Sequence, residues 1–411
     1  MKNKNILLYL TVIGIFFGGL CGWMFGKTML SVSWLGELFL DALKMLVIPL
    51  IISSMIVGIA GLGDIRKVGK IGTITLVYYT MTTAISVAIG LIVVNLIQPG
   101  VGMDNSGLTI PERVAAKEAT GLTDVLKSFI SPNLIQSMAN MDILPLIIFS
   151  LIFGGILTTL GDKGKQVINF FDGVNLAIMK MVHLIMYFAP VGIFGLIASK
   201  LGAAGGGDLF LLELEKIGKY VLTVLSGLLI HGIVILPVLL YFLAGRNPLV
   251  YFKNVVEALM TAFSTASSSA TLPVTIECAE KKNSVSRKAA LFVLPLGATV
   301  NMDGTAMYEA VAAIFIAQMF GVELGFAGQM IIFLTATLAA IGAAGIPEAG
   351  LVTMVMVLQS VGLPLEGIGM LLAIDWFLDR CRTTINVWGD SIGAAVIDSL
   401  EQKFLEEGGS S

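Results

Sequence analysis

Residues 375–390, Asp-Trp-Phe-Leu-Asp-Arg-Cys-Arg-Thr-Thr-Ile-Asn-Val-Trp-Gly-Asp, place three carboxylates and two guanidinium groups inside an apolar stretch running from 366 to 399. A charge near the centre of a bilayer costs at least ~2.5 kcal/mol on the mildest scale, so five in one span require a reason. At ~100° per helical residue, Asp375, Asp379, Arg382, Thr383, Asn386 and Asp390 fall within an arc of ~100°. Arg380 stands at the edge of that arc and Cys381 faces away. One polar face, turned from lipid towards protein or water, is what a site for a zwitterionic ligand and cations needs. An ion-pair network that only ties helices together is the plainer use of the same residues.

The chain that carries this face has 411 residues, 56% of them hydrophobic and only 13% charged. Soluble globular chains are ~25% charged, so this composition points to a membrane. Several apolar runs exceed ~20 residues, which indicates helical spans rather than a barrel. The net charge of −3 and the absence of a basic cluster give no reason to expect a nucleic-acid partner. Cys21, Cys278 and Cys381 are odd in number, and their spacing suggests neither a disulfide framework nor a metal site.

Apolar spans are read at 5–27, 34–62, 70–98, 125–160, 168–202 and 212–244. The first carries no small-x-small cleavage site and reads as a membrane helix rather than a signal peptide. Pro132, Asn133 and Pro145 divide the fourth into several pieces. Basic residues flank alternate connectors: Lys2 and Lys4, then Arg66, Lys67 and Lys70, then Lys163 and Lys165, then Arg246. The excess of positive charge assigns that side, with both termini, to the cytoplasm. The loop 99–124 and the glycine-rich stretch 202–207 are then external.

Beyond 245 the pattern changes. Residues 250–278 are interrupted by Ser267-Ser268-Ser269-Ala270-Thr271-Leu272-Pro273, and Lys281, Lys282, Arg287 and Lys288 follow on the same side as Lys253. That predicts a re-entrant hairpin. A span at 287–320 is broken at Asn301-Met302-Asp303-Gly304, and 327–362 is broken around Gly342 to Gly350. The whole reads as an all-α polytopic membrane protein. Eight transmembrane helices are expected, plus two re-entrant hairpins in an inverted repeat. Paired Gly/Pro-interrupted segments mark a transporter's binding site, because bare backbone at membrane depth is tolerated only where protein or water covers it. Close helix packing by small residues is the alternative use of Ser-Ser-Ser and Gly-Ala-Ala-Gly.

Four motifs in order carry a resemblance over essentially the whole chain. They are Ser267-Ser268-Ser269-Ala270-Thr271-Leu272-Pro273, Asn301-Met302-Asp303-Gly304-Thr305, Ala344-Gly345-Ile346-Pro347 and Asp379-Arg380-Cys381-Arg382-Thr383. The chain resembles the dicarboxylate/amino acid:cation symporters, which include glutamate transporters of prokaryotes and animals. The resemblance implies a homotrimer embedded in lipid, whose transport domains slide like elevators with the second hairpin as gate. Its scaffold would comprise 1–69 and 99–202. The transport domain would comprise 70–98 and 203–411, with hairpins at about 250–278 and 327–362 and helices at about 287–320 and 366–399.

By the same resemblance, Arg382 would clamp the substrate's side-chain carboxylate, since a planar fork meets a planar carboxylate in an oriented pair. Asp379 would take the ammonium. Asn386, Ser268 and the backbone at Ile346 and Gly350 would hold the α-carboxylate and amine, with Thr383 and Thr305 nearby. The implied coupling ion is sodium. One site would use carbonyls of Gly297, Asn301 and Asn386 with the Asp390 carboxylate. A second would use carbonyls of Thr299, Ala340, Ile341 and Ala343 beside Met302. A third would use Asp303 with Tyr79, Thr82, Thr83 and Asn301. The function implied is sodium-coupled uptake of glutamate or aspartate. A neutral amino acid or C4-dicarboxylate symporter of the same fold is the alternative.

Two positions depart from the archaeal members. Ala266 stands where they often carry arginine, and Arg380 supplies that charge as in animal members. Glu309 occupies an acidic position of animal type and has no basic residue between Ala306 and Ala317 to pair with. A carboxyl removed from water without a partner favours its neutral form, which makes Glu309 the candidate proton carrier. The short 99–124 loop and the lack of an Asn-x-Ser/Thr sequon suggest a prokaryotic plasma-membrane protein. Gly61-Leu62-Gly63-Asp64 matches an intramembrane aspartyl protease pattern, but no Tyr-Asp dipeptide supplies its partner, so no enzyme is expected. A dedicated channel would not need a zwitterion clamp. His183 and His231 are read as packed core residues.

Overall fold

In hydrocarbon the backbone must pair within its own segment, so long apolar runs become helices. The computed structural model describes residues 2–60, 69–102, 127, 129–140, 142–203, 208–343 and 349–408, and among these all regular structure is helical, with no strand. Asp64, Arg66 and Lys67, most of the external loop, the glycines at 205–207, and the second hairpin's tip with Ile346 lie outside the described residues. So do the side chains of Lys2, Lys4 and His183.

Helix α1 (Lys2–Phe25) passes through a 3-10 turn into α2 (Ser33–Ala60), and α3 (Gly69–Ile97) follows. The fourth stretch forms short α4 (Leu134–Asn140) and α5 (Ile143–Thr158). The single span expected over 168–202 is instead two helices, α6 (Asp162–Met186) and α7 (Ala189–Ala203). Pro190 is the cause, because it has no N–H and its ring opposes the carbonyl of Met186, where α6 stops. The sixth span comprises α8 (Asp208–Leu229), a π turn at Ile230–Ile235, and α9 (Leu236–Ala244). Gly245 ends it at φ +66°.

Helices α10 (Pro248–Thr265) and α11 (Ser268–Glu277) form the first hairpin. Ala266 turns the chain at φ +49°, and the Ser267 hydroxyl caps α11 by accepting from the N–H of Ala270 at 3.1 Å. Asn254, early in α10, donates to the Lys282 carbonyl beyond α11 at 2.9 Å, so the chain returns to its starting level. Then come α12 (Arg287–Val300) and α13 (Asp303–Met319), separated by Asn301 and Met302 in non-helical conformation. Helices α14 (Phe326–Ala339) and α15 (Ala349–Ser360) pack on each other as the second hairpin, and α16 (Ile368–Gly408) is last.

Among the described residues, four helical stretches are long and apolar enough to cross a bilayer by length and composition: Ile13–Ala60, Gly72–Ile97, Asp162–Met186 and Glu215–Ala244. Ile143–Thr158, Ala189–Ser199 and Phe326–Gly342 are shorter apolar helices. The remaining C-terminal helices are broken or charged and so fall outside this simple description.

Packing separates two groups. α1 lies along α7, and α2 lies against α5, α6 and α7. In the other group α13 packs on α3, α8, α15 and α16, and α16 also packs on α9, α10 and α12. Helix α13 is buried from Asp303 through Ala317, the position its small and apolar residues suit. Its N-terminus touches α16 backbone to backbone: a Cβ on Gly304 would meet the Arg382 carbonyl oxygen at 2.7 Å and Cα at 3.0 Å. Neither partner can rotate away as a side chain would. Gly304→Ala is therefore expected to destabilise the fold by about 1–3 kcal/mol through overpacking. A thermal unfolding scan of the detergent-solubilised variant checks this, and an unchanged midpoint refutes it.

Candidate functional site

The break between α12 and α13 sets the site. Buried backbone groups freed from a helix need new partners. Asn386 on α16 supplies one: its Oδ1 accepts from the N–H of Gly304 at 2.8 Å, and its Nδ2 donates to Thr305 Oγ1 at 3.1 Å. The same Nδ2 lies 3.3 Å from the Met302 sulfur. Asn301 turns the other way and donates from Nδ2 to Asp390 Oδ1 at 2.9 Å. Ser86 on α3 donates to the Asp303 carbonyl at 2.8 Å. The broken ends are thus held by α16 on one side and α3 on the other.

A first cluster of oxygen atoms surrounds this break. Thr83 donates to Asp303 Oδ1 at 2.8 Å, and Thr82 lies 3.3 Å from the side-chain oxygen of Asn301. The Tyr79 hydroxyl donates to the Val293 carbonyl at 3.2 Å. Glycines make the approach possible. A Cβ on Gly297 would meet Asp390 Oδ1 at 2.5 Å and the Tyr79 hydroxyl at 2.7 Å, and one on Gly389 would meet Asn301 Nδ2 and Asp303 Oδ2 at 3.0 Å. Carboxylates, hydroxyls, an amide oxygen and bare carbonyls are hard donors, the set that suits sodium. These residues therefore fit the cation expected there.

The 3-10 turn Ala340–Gly342 packs against α12 and α13, so the carbonyl-bearing residues Ala340 and Ile341 lie beside the break. Ala343 is buried just past that turn. Thr299 is exposed, and its hydroxyl donates to the Leu296 carbonyl at 3.0 Å.

The second cluster lies further towards the start of α16. Arg382 is wholly buried. Its Nη2 donates to Asp379 Oδ1 at 2.8 Å, its Nη1 pairs with Asp375 Oδ1 at 3.1 Å without hydrogen-bond alignment, and its Cζ sits 3.9 Å from the Tyr308 ring centroid. A guanidinium over an aromatic face is attracted by the ring quadrupole. Gly350 closes the space above: its Cβ would meet Arg382 Nη1 at 3.1 Å and Thr305 at 3.2 Å. Ser268 and Thr383 are buried as well. Arg380 points elsewhere and donates to the Trp376 carbonyl at 2.6 Å. Glu309 is buried on α13, where Oε1 accepts from Thr353 of α15 and Oε2 has no protein partner.

The structure adds residues that the sequence reading gave no role. His231, expected to be plain core, has Nε2 2.9 Å from Asp303 Oδ2, with both side chains fully buried. The physical signal was available, since an ionisable group inside an apolar span is a functional candidate by default. Asp375 and Tyr308 surround the arginine. Asp375 was visible on the polar arc, but Tyr308 lies on another helix and no spacing rule connects it.

Residues 7–400 match the sodium:dicarboxylate symporter family. An excitatory amino acid transporter 1 of Ambystoma tigrinum is 38% identical over 477 aligned residues, covering 99% of this chain and 85% of the relative. Excitatory amino acid transporter 3 of Mus musculus is 41% identical over 425 residues, covering 90% of this chain and 80% of the relative. An excitatory amino acid transporter of Caenorhabditis elegans is 38% identical over 466 residues, covering 98% and 89%. These are transporters and not enzymes. With the family match running over nearly the whole chain and relatives of 38–41% identity beside it, the chain belongs to the sodium:dicarboxylate symporter family.

Proposed function

We propose that this chain is a secondary active symporter that carries acidic amino acids, glutamate or aspartate, into the cell with sodium. One observation carries the reading. Among the described residues, six carboxyl groups are buried; Asp398 pairs with the half-buried Arg246, and the other five (Asp303, Glu309, Asp375, Asp379, Asp390) accompany a single buried guanidinium, Arg382. Buried charge must be paired or neutralised, so this excess calls for cations. The lone guanidinium is then the natural anchor for a substrate carboxylate, with Asp379 for its ammonium. Arg382 counts against a neutral amino acid as substrate, and the ammonium partner Asp379 counts against a C4-dicarboxylate. The animal relatives' names support the acidic amino acid. Uptake of labelled aspartate and glutamate into proteoliposomes, with sodium, potassium and pH gradients imposed separately, tests the whole reading.

In this proposal α1, α2 and α4–α7 form the scaffold. α3, α8, α9, both hairpins, α12, α13 and α16 form the moving transport domain. Eight spans and two re-entrant hairpins complete each protomer of a homotrimer in a prokaryotic plasma membrane, termini inside. The packing groups support this division, because the second hairpin touches both: its 3-10 turn and α15 contact α2 and also α13. Ser268, Thr305, Ile346, Gly350, Thr383 and Asn386 complete the substrate site. The cation sites use Tyr79, Thr82, Thr83, Gly297, Thr299, Asn301, Met302, Asp303, Ala340, Ile341, Ala343, Asn386 and Asp390, with Arg380 as a supporting charge.

Arg382→Cys leaves a buried substrate carboxylate without its charge-assisted partner, a cost of about 3–5 kcal/mol, so aspartate affinity should fall about 100-fold or more. Near-native aspartate uptake by that variant removes the assigned role.

Sodium and substrate are coupled through the break, where Asn386 touches the N-terminus of α13 and stands one turn from Arg382 and one from Asp390. Substrate affinity should therefore rise steeply with sodium, and Asp390→Ala should weaken sodium and substrate binding together, by about 5-fold to 150-fold. Sodium-independent substrate binding in the native protein sinks this idea.

Glu309 is proposed as a proton site. A second reading has the Thr353 contact in its favour: a permanently neutral carboxyl that ties α13 to the second hairpin. If Glu309 carries the proton, an inward proton gradient drives uptake, and Glu309→Gln removes that drive while substrate exchange persists. No response of the native protein to an imposed pH gradient leaves Glu309 structural and the carrier purely sodium-coupled.

A further inference from the structure

The sixth span is not a plain helix. Ile230–Ile235 form a π turn within it. Such a turn inserts a residue and weakens local pairing, and it persists where neighbours compensate, often at functional positions. The compensation here comes from α16: Trp388 Nε1 donates to the Gly232 carbonyl at 2.9 Å. Gly232 also faces α16, where a Cβ would press on the terminal Cδ1 methyl of Ile385 at 2.5 Å. The turn is therefore tied to α16 by the Trp388 hydrogen bond, and it holds His231 against Asp303.

Both oxygens of Asp303 are engaged from different elements. Oδ1 accepts from Thr83 of α3 at 2.8 Å, and Oδ2 lies 2.9 Å from His231 Nε2. His231 Nδ1 is buried without a protein partner. That asymmetry assigns the tautomer. A proton on Nδ1 would strand a buried donor and set the Nε2 lone pair against a carboxylate, so the proton belongs on Nε2. A neutral donor suits the place. Lysine would cancel the charge that attracts a cation, whereas imidazole N–H orients the carboxylate and leaves its charge in force.

We propose that His231 is a positioning residue for the coupling cation: its Nε2–H fixes the Asp303 carboxylate beside Thr83, Thr82 and Asn301. This rests on the reading of Asp303 as a sodium ligand. Partners of this kind commonly hold 10–100-fold of a site's metal affinity. Sequence spacing could not show the pairing, because His231 and Asp303 are 72 residues apart.

The test measures sodium-dependent aspartate binding by calorimetry on the purified, lipid-reconstituted protein. His231→Ala should raise the sodium concentration for half-maximal binding about 10-fold to 100-fold, with aspartate affinity at saturating sodium within about threefold of native. His231→Gln, whose amide N–H reaches a similar point, should restore sodium dependence to within about threefold of native. Asp303→Asn is the control for the underlying reading. If it leaves sodium dependence unchanged, Asp303 is not a sodium ligand. If it shifts sodium dependence and His231→Ala does not, His231 has no positioning role. Equal impairment of the Ala and Gln variants also overturns the proposal, because the N–H is then not what matters. A measurement on the native protein stands even if His231→Ala fails to fold: nitrogen NMR of labelled histidine should show His231 as the Nε2–H tautomer, with its Nε2 signal shifting on addition of sodium. An Nδ1–H tautomer, or a signal indifferent to sodium, overturns it.

Discussion

The interaction on which the rest depends is the hydrogen bond from the Gly304 N–H to Asn386 Oδ1. A helix broken deep inside a membrane protein exposes backbone groups that hydrocarbon cannot satisfy. Asn386 takes the freed N–H of Gly304 at the start of α13, while Asn301 in the break itself reaches Asp390 one turn further along α16. The amide side chain is suited to this because it offers donor and acceptor together without charge. Beside it the Arg382 backbone comes close enough to demand glycine at 304, and Gly297 and Gly389 likewise face polar groups of Asp390, Tyr79, Asn301 and Asp303.

Charge is segregated along α16 around that contact. Arg382, with Asp375, Asp379 and the Tyr308 ring, occupies one end, and Asp390 with Asn301 and Asp303 occupies the other. Eight residues of helix separate Arg382 from Asp390, about 12 Å at 1.5 Å per residue. Asn386 lies midway. A guanidinium and a cation site at such a distance attract opposite ligands without neutralising each other, and the shared asparagine gives them a mechanical connection through the broken helix.

The second hairpin is placed to sense both. Gly350 closes over Arg382, and Thr353 reaches Glu309. On its other side Ile341 meets α2, where a Cβ on Gly58 would come within 2.7 Å of the Ile341 carbonyl oxygen. Small residues on both faces allow a hairpin to lie close to two neighbours while making few specific side-chain bonds to either. The first hairpin is tied down differently. Arg246 links the end of α9 to Asp398 of α16 at 3.2 Å and to the Asn283 carbonyl, and Lys282 pairs with Glu257 at 2.6 Å.

Much of this was legible in the chain alone. The polar arc from Asp375 to Asp390 followed from helical spacing within an apolar segment, and the breaks at Asn301 and around Ser267 followed from polar and turn-forming residues where bilayer helices avoid them. Local rules suffice there because each concerns neighbours along one element. The pieces of the fourth span follow from Pro132 and Asn133, whereas the apolar run over 168–202 hides its division at Tyr187 and Phe188, which only Pro190 marks. Tertiary structure alone decided the pairings. His231 meets Asp303 because a π turn in one span faces a break in another, Tyr308 lies over Arg382 because α13 crosses α16 at Gly304, and Glu309 finds Thr353 on a hairpin 44 residues away. Periodicity tells which face of a helix is polar. Which partner that face meets depends on how separate helices pack, and that is set by shape and burial summed over the whole molecule.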